Sequence, residues 1–599
     1  MKNDLTAVHR LNARVGGESL LSLLIRNRLS PASDCNGLGL CGKCKVQIVQ
    51  GTASPLCSEE TEHLRKKELD AGFRLACLCR VEGEVMITSS EPEISMQIQE
   101  QGFTACTFPL NPVIKKQLIV LEPQTHESRY QCLVSKTGVP IENTLAIAGA
   151  LADSPSMLTA VKFQNRLIGI ETADTRSTGF GIAVDIGTTT LVAALIDFNT
   201  GKTLATASAI NPQFQLGSDV LSRIHFAQQS PSHLDMLSSL LRNEINRLAA
   251  DLLETAGADP TQCYLISVAG NTVMLHLLLG IDPRPLGRHP YQPVFLETLE
   301  VKASDLDIAL SPFAVLQCLP GLSAFIGADI QAGLLALNLT KNTDNTLFID
   351  MGTNGEIVLC FNGKMIATST AAGPALEGMN ISCGMKACNG AIDHVMLSGN
   401  KLDWTTIGDA SPKGLCGSGL LDLVAALLKT GIIQKSGRIV PPETAALNGV
   451  EQIENSRCFR LVQPGAENND RGIYISQQDI RQVQLAKGSL AAGMKLLLRQ
   501  VEATADEIKV IYLAGGFGHY LSPETLITLG LFPSIWKHRI MYAGNTSLSG
   551  AKLSMLCEEQ LTLHPYLAGK IEFLDLTDCN EFKRMFANEM LFSDCSATV

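Results

Sequence analysis

No stretch of 18 or more residues in this 599-residue chain is both apolar and free of charge, so a membrane-spanning helix is not expected. The opening Met1-Lys2-Asn3-Asp4 lacks the apolar core of a signal peptide, and the expected location is the cytoplasm, with no membrane partner. No run of Lys or Arg interrupts an acidic balance, 59 Asp and Glu against 48 Lys and Arg for a net charge of −11. That balance argues against a nucleic-acid partner, whose phosphates need clustered cations. A disulfide scaffold is also missing. The 18 cysteines are too sparse for one, and most outside a single loop lie singly in apolar segments, as in a reducing compartment. What the chain has in quantity is ordinary core material, 45% hydrophobic residues, over a length that calls for three or more domains.

The exceptional loop is Cys35-Asn36-Gly37-Leu38-Gly39-Leu40-Cys41-Gly42-Lys43-Cys44, a C-x5-C-x2-C pattern followed by Cys77 and Cys79 in Arg74-Leu75-Ala76-Cys77-Leu78-Cys79. Four thiolates converging on two irons need this spacing, and glycines let the loop wrap a [2Fe–2S] cluster with backbone N–H groups aimed at sulfur. Buried free thiols or a zinc site are the alternatives, although zinc sites usually pair two C-x2-C units and only one is present. Leu20 to Ile25 form an apolar helical stripe, Lys45 to Val49 alternate as a strand, and Val81 to Thr88 read as a last strand. This succession resembles a β-grasp ferredoxin of the plant or adrenodoxin type. The resemblance makes Cys35, Cys41, Cys44 and Cys77 the metal ligands, with Cys79 as competitor for the fourth place and Cys57 as a loop thiol.

From Ser89 the composition turns polar, through Glu91, Glu93, Gln97, Gln99, Glu100 and Gln101, which is linker chemistry. A swinging tether is the functional reading and an ordered surface crossing the plain one. A small α/β segment follows, with a strand at Gln117 to Leu121, a helix at Thr144 to Leu151 and strands within Ala160 to Ile170.

A second signal begins at Phe180, where an apolar strand ends in Asp185-Ile186-Gly187-Thr188-Thr189-Thr190 and continues into a strand, a turn at Asn199 to Lys202 and another strand. The same unit recurs as Asp350-Met351-Gly352-Thr353-Asn354-Gly355-Glu356, again with a strand, an Asn362-Gly363-Lys364 turn and a strand. Two copies in phase imply a duplicated domain with two lobes. Gly- and Thr-rich turns offer N–H and hydroxyl donors to phosphate oxygens, and Asp185 and Asp350 at the strand ends are placed to hold Mg²⁺ through its waters. A third glycine turn, Gly515-Gly516-Phe517-Gly518, closes the buried strand Val510 to Ala514, where an adenine could lie on bare backbone. The trio resembles the acetate/sugar kinase, heat-shock chaperone and actin superfamily of ATPases, in which such segments are two phosphate loops and an adenosine loop.

Asn211-Pro212-Gln213, Asp219-Val220 with Ser222-Arg223-Ile224, Ala269-Gly270-Asn271-Thr272, Gly373-Pro374-Ala375-Leu376-Glu377-Gly378 and Cys416-Gly417-Ser418-Gly419 narrow the likeness. With the N-terminal module they make the chain similar to reductive activators of corrinoid proteins. The fold this implies is multidomain α/β: a β-grasp ferredoxin (1–92), a linker (93–112), a small α/β middle domain (113–178), and a ribonuclease-H-like, actin-type ATPase with lobes at 179–343 and 344–599. The implied activity is ATP-dependent passage of one electron from the cluster to Co(II) of a partner, regenerating Co(I) for methyl transfer. The implied cofactors are the [2Fe–2S] cluster, ATP and Mg²⁺. The partners are a corrinoid protein and an upstream electron donor, and a homodimer is left open.

The candidate residues for catalysis are Asp185, Asp350 and Glu356. The resemblance assigns Gly187, Thr188, Thr189, Thr190, Gly352, Thr353, Asn354, Gly355 and the 515–518 turn to the nucleotide. For Glu356 and Glu377, orienting the attacking water competes with a structural hydrogen bond. For Asp219 and Arg223, four apart on a helix, an ion pair is the simple expectation. Cys383 and Cys388 lack a partner pair for a second cluster, and His394 and His519 are expected in core or surface roles. No D-x-H-x2-G signature is present, so the corrinoid is expected on a partner, and no C-terminal C-x2-C-x2-C run suggests further clusters. A small-molecule kinase regulated by a ferredoxin is the alternative, and a redox switch that has lost hydrolysis is a third reading that the two intact loops oppose.

Overall fold

The computed structural model describes residues 8–13, 17–26, 44–64, 66–88, 108–122, 126–153, 156–217, 219–341, 344–378, 380–385, 387, 389–399, 401–453, 456–464, 472–515 and 521–593. It divides into two compact units, one built on the N-terminal 95 residues with the short stretches 510–512 and 535–542, the other on the remainder.

In the first unit, strands Val8–Asn12, Arg80–Thr88, Lys45–Ala53 and Phe73–Leu75 lie in that order, all antiparallel, with Glu18–Ser19 paired to the second of them. Alternation along Arg80–Thr88 turns Val81, Val85 and Ile87 inward against Leu20, Leu23 and Leu24 of the helix Leu20–Arg26. The short helix Ser58–His63 is tied to the strand Phe73–Leu75, just before the turn carrying Cys77, by one ion pair. The Glu60 carboxylate is fully buried, accepts from Arg74 Nε at 2.9 Å and Nη2 at 2.7 Å, and also from the Leu75 backbone N–H.

Burial works to raise the Glu60 carboxyl, but these donors outweigh it and hold the group below its ordinary 4.5. A carboxyl depressed in the folded state contributes stability that is present above 4.5 and lost as pH falls through the folded value. Glu60→Gln is therefore expected to destabilise this unit by about 3–5 kcal/mol at neutral pH, because Arg74 stays buried without its countercharge. Chemical denaturation from pH 7 down to 3 should show the gap between wild type and variant closing in acid. A pH-independent gap would refute the assignment.

Among the described residues the second unit begins at residue 108, and the Asn111 and Val113 N–H groups donate to the Leu556 and Met555 carbonyls. A three-stranded antiparallel sheet follows, Ile114–Val120, Met157–Phe163 and Arg166–Thr172. Two helices cross it, Arg129–Thr137 and Thr144–Ala152. The first of these was not apparent from the sequence because it is short and buries only Cys132, Leu133 and Thr137.

The next sheet has six strands. Thr203–Ile210, Thr190–Asp197 and Phe180–Ile186 form an antiparallel meander, Cys263–Gly270 and Val315–Cys318 add parallel to its inner edge, and Leu299–Lys302 closes it antiparallel. Cys263–Gly270 is buried at every position, as a strand covered on both faces must be. The meander recurs as Thr346–Met351, Gly355–Phe361 and Lys364–Thr370, with Ile571–Phe573 parallel at its edge. Its second turn has positive φ at Asn362 (48°) and Gly363 (79°), the geometry that a two-residue hairpin demands and Asn-Gly supplies. Helices Ala328–Ala336 and Thr546–Leu556 cross in tight contact. A Cβ on Gly550 would stand 2.1 Å from the Ala332 carbonyl oxygen, so only glycine permits the approach. Among the described residues no helix is long and apolar enough to cross a membrane.

Candidate functional site

In the first unit, Cys44 is buried and its Sγ lies 3.3 Å from Cys77 Sγ, although 33 residues separate them. The Ala76 N–H donates to the Cys44 carbonyl at 2.8 Å, and the turn at 75–79 is closed by the Leu78 and Cys79 N–H groups on the Leu75 carbonyl. That turn sends Cys77 toward Cys44, while Cys79 is wholly buried in the apolar core with Leu75 and Val81. Two thiols converging without bonding to one another suit a shared metal centre. Cys35 and Cys41 lie outside the described residues, and among the described residues no group of three or more His, Cys, Asp or Glu is gathered as for a metal. Cys57 lies in a loop as expected, at the N-cap of the short helix Ser58–His63.

In the second unit, the two Gly-Thr turns come together. The Thr189 and Thr353 hydroxyls are 3.2 Å apart across 164 residues of chain. The first turn is closed by the Gly187 N–H on the Thr190 carbonyl at 2.9 Å, the second by the Gly352 N–H on the Asn354 carbonyl at 2.9 Å. The carbonyls of the first turn point backward onto a buried polar floor. Asn211 Nδ2 donates to the Gly187 carbonyl at 2.9 Å, the Asn211 N–H to Thr189, and Arg223 Nη2 to the Thr188 carbonyl at 2.6 Å. With its carbonyls held behind, the turn is left presenting hydroxyls and N–H groups on its other side.

The ion pair expected between Asp219 and Arg223 is only part of what these residues do: the Asp219 charge acts on Arg223, and both make further contacts. Asp219 caps the helix Val220–Ala227 through the Ser222 N–H at 2.8 Å. The fully buried Arg223 guanidinium goes to Thr188, to Gly217 O at 2.9 Å and to Gln213 Oε1 at 3.1 Å. Burial lowers its pKa to about 10, still charged at neutral pH. Helical spacing made the surface pair the simple expectation, but the first turn needed an internal donor and took it.

Around the meeting point stand four carboxyl groups. Asp185 and Asp350 end their strands, Asp350 lies opposite Glu356 in the hairpin register, and Asp329 opens the helix Ala328–Ala336. Asp185 Oδ1 accepts from Ser547 Oγ at 2.7 Å and Oδ2 from Asn545 Nδ2 at 2.8 Å. Glu356 is buried and accepts from Ser369 Oγ at 3.2 Å. Enclosure by protein raises the Asp185 carboxyl against the pull of Ser547 and Asn545. Enclosure and the nearby Asp185 push Asp329 up to about 7. Burial, then Asp329 and Asp350, put Glu356 well above its ordinary range. No three of these groups are gathered as direct ligands of an ion, so a cation among them would be held through its waters.

Asp329, Asn545 and Ser547 were not singled out from sequence, since each reads as an ordinary helix start; the glycine before Asp329 was the available signal. A Cβ on that glycine, Gly327, would lie 2.6 Å from the Gly270 carbonyl oxygen, so it seats this helix start on the Gly270-Asn271 turn.

Gly515, with φ of 103°, packs on the second turn, where a Cβ would stand 2.4 Å from the Met351 carbonyl oxygen. Gly516, Phe517, Gly518, His519 and Cys388 lie outside the described residues, as does the Glu377 side chain. His394 meets Asp422 Oδ2 at 3.1 Å, and Cys383 accepts from the Tyr474 N–H.

Residues 344–598 match the family described as the C-terminal domain of RACo, the ASKHA domain, residues 180–342 match the RACo middle region, and residues 8–82 match the 2Fe-2S iron-sulfur cluster binding domain. The chain is 29% identical to the corrinoid activation enzyme RamQ of Eubacterium limosum over 576 residues, 94% of each chain. It is 25% identical to the [Co(II) methylated amine-specific corrinoid protein] reductase of Methanosarcina barkeri over 69% of this chain and 77% of that one. A solved structure titled reductive activator for corrinoid, iron-sulfur protein superposes with a TM-score of 0.75 at 31% identity, covering 96% of this chain and 95% of the other.

Proposed function

Because the chain belongs to the family of reductive activators of corrinoid proteins, we propose that it uses ATP to return the Co(II) corrinoid of a partner protein to Co(I). The observation that carries the ATP half is the Thr189–Thr353 contact, which brings two phosphate-binding turns to one place beside four carboxyl groups. In this reading Cys35, Cys41, Cys44 and Cys77 hold the [2Fe–2S] cluster of the first domain. The turns Gly187–Thr190 and Gly352–Gly355 and the glycines from Gly515 receive the nucleotide. Asp185 and Asp350 hold Mg²⁺ through its waters, with Asp329 beside them, and Mg²⁺ when bound supplies countercharge to the phosphates. In the same reading Glu356 accepts a proton from the water that attacks the terminal phosphate, a role supported by its burial opposite Asp350. ATP and water become ADP and phosphate, while one electron leaves the reduced cluster for Co(II) and an upstream donor restores the cluster.

The two processes belong on one chain for an energetic reason. Plant-type [2Fe–2S] centres sit near about −400 mV, and each ~59 mV uphill costs a factor of ten for one electron. Binding one ligation state of the partner more tightly when nucleotide closes the lobes shifts that balance without changing the cluster. A chain beginning at Val113 is expected to hydrolyse ATP but to yield no Co(I) absorbance from a Co(II) corrinoid protein. Residues 1–92 added as a separate domain should restore the reaction weakly, since tethering supplies an effective concentration of order millimolar. Full Co(I) formation by the shortened chain would remove the electron-carrier role.

Arg223 offers a separate check on the nucleotide site. Arg223→Lys keeps the charge but cannot span Thr188, Gly217 and Gln213 together, so the first turn loses its fixed carbonyls. The KM for ATP is expected to rise about tenfold or more, with the visible spectrum of the cluster unchanged. An unaltered KM would detach this floor from nucleotide binding.

A further inference from the structure

Several arginines of this protein meet a carboxylate. Arg10, Arg74, Arg166, Arg176, Arg247, Arg284, Arg460 and Arg499 all do so. Three that do not, among the described residues, line one open cavity of about 840 Å³ in the second unit: Arg438, Arg457 and Arg481. The remaining lining is four glutamines and two serines, with no described Asp or Glu, in a chain whose net charge is −11. The arginines come from three separate elements: a turn before residue 439, the strand Ser456–Val462 and the first turns of the helix Gln477–Gln500. Three guanidinium groups lining one pocket, with no described carboxylate among them, offer an anion donors that no acidic side chain opposes.

The frame behind them is fixed. Gln477 accepts from the Ile439 N–H at 2.9 Å and donates to Gly437 O at 2.7 Å, and Gln484 donates to Ser436 O at 3.1 Å and Met590 O at 2.8 Å. Gly437, at φ 84°, lets this turn press on Gln484, and the turn closes with the Gln434 N–H on the Arg438 carbonyl. Arg457 is anchored by one nitrogen to the Ile439 carbonyl, which leaves the rest of its fork available. Gln477 and Gln484 are thus spent on holding the turn, and of the three cations only Arg457 helps, through one nitrogen.

We propose that this cavity binds a small polyanion carrying two or more phosphate groups, apart from the nucleotide turns. Its size suits a phosphorylated metabolite rather than a single ion, and three forked donors suit phosphate oxygens bidentately. The test is calorimetric titration of the full-length protein with inorganic pyrophosphate in Mg²⁺-free buffer, with citrate as the carboxylate comparison. Wild type and the Arg438→Gln/Arg481→Gln double variant would be compared. Both arginines are exposed, so the fold should survive, and circular dichroism with basal ATP hydrolysis checks it. Any binding at the nucleotide turns is common to both proteins. The expected result is a pyrophosphate site in wild type that weakens tenfold or more in the variant, with basal ATP hydrolysis unchanged. Identical isotherms for the two proteins would overturn the proposal, and citrate binding more tightly than pyrophosphate would overturn the phosphate assignment.

Discussion

Cys77→Ser should abolish the iron–sulfur chromophore, and Cys79→Ala should leave it intact. The two thiols are two residues apart, and sequence alone kept both as candidates for the fourth ligand. The fold separates them, since Cys77 Sγ stands 3.3 Å from Cys44 Sγ while Cys79 is sealed in the core behind the turn. A [2Fe–2S] centre needs four thiolates, and loss of one exposes an iron to solvent. Protein purified without oxygen is expected to hold about two irons per chain, as is the Cys79→Ala protein, whereas Cys77→Ser and Cys41→Ala proteins should be near zero. Iron analysis and the visible spectrum decide the matter. Cluster retention in Cys77→Ser with loss in Cys79→Ala would reverse the ligand assignment. Cys79→Ala should still cost some stability, because it removes a buried sulfur from a packed core.

The second large effect is expected at Asp350. Asp350→Ala should lower ATP turnover by about a hundredfold or more, the scale on which removing one charged contact to a reacting phosphate acts. The cluster spectrum should not change. Asp350 ends its strand directly before the second turn, faces Glu356 in register and lies against Gly515. Its loss also removes one of the like charges that raise Glu356, so the remaining carboxyl would ionise more readily and the acid limb of the residual activity should move to lower pH. The sign follows from Coulomb repulsion, since a neighbouring carboxylate disfavours a second negative charge. A pH profile displaced upward, or turnover equal to wild type, would take the second turn out of the hydrolytic site. Co(I) formation measured in the same variant separates the roles of nucleotide binding and hydrolysis, because binding through the first turn is left in place.

The cluster loop and the paired Asp-x-Gly-Thr turns were legible in the residues because their chemistry is local. Thiolate spacing within ten residues, glycine in a tight turn and Asn-Gly in a hairpin are constraints that a chain satisfies before it packs. The strands at Lys45–Ala53, Arg80–Thr88 and Phe180–Ile186 were legible for the same reason, since alternation or a short apolar run bounded by turns marks them. What packing alone decided lies farther apart in the chain or turns on which way a side chain faces. Asp185 meets Asn545 and Ser547 across 360 and 362 residues, and no spacing rule reaches that far. Asp329 and Arg223 carried ordinary local explanations, a helix start and a surface ion pair. The first was drawn into the carboxyl group cluster by a glycine-permitted approach of two turns. The second was turned inward because a buried turn with unsatisfied carbonyls costs more than a solvated ion pair returns. Cys77 and Cys79 differ only in the side of one turn they occupy, and that side is set by the hydrogen bonds to Leu75 and the apolar core beneath it.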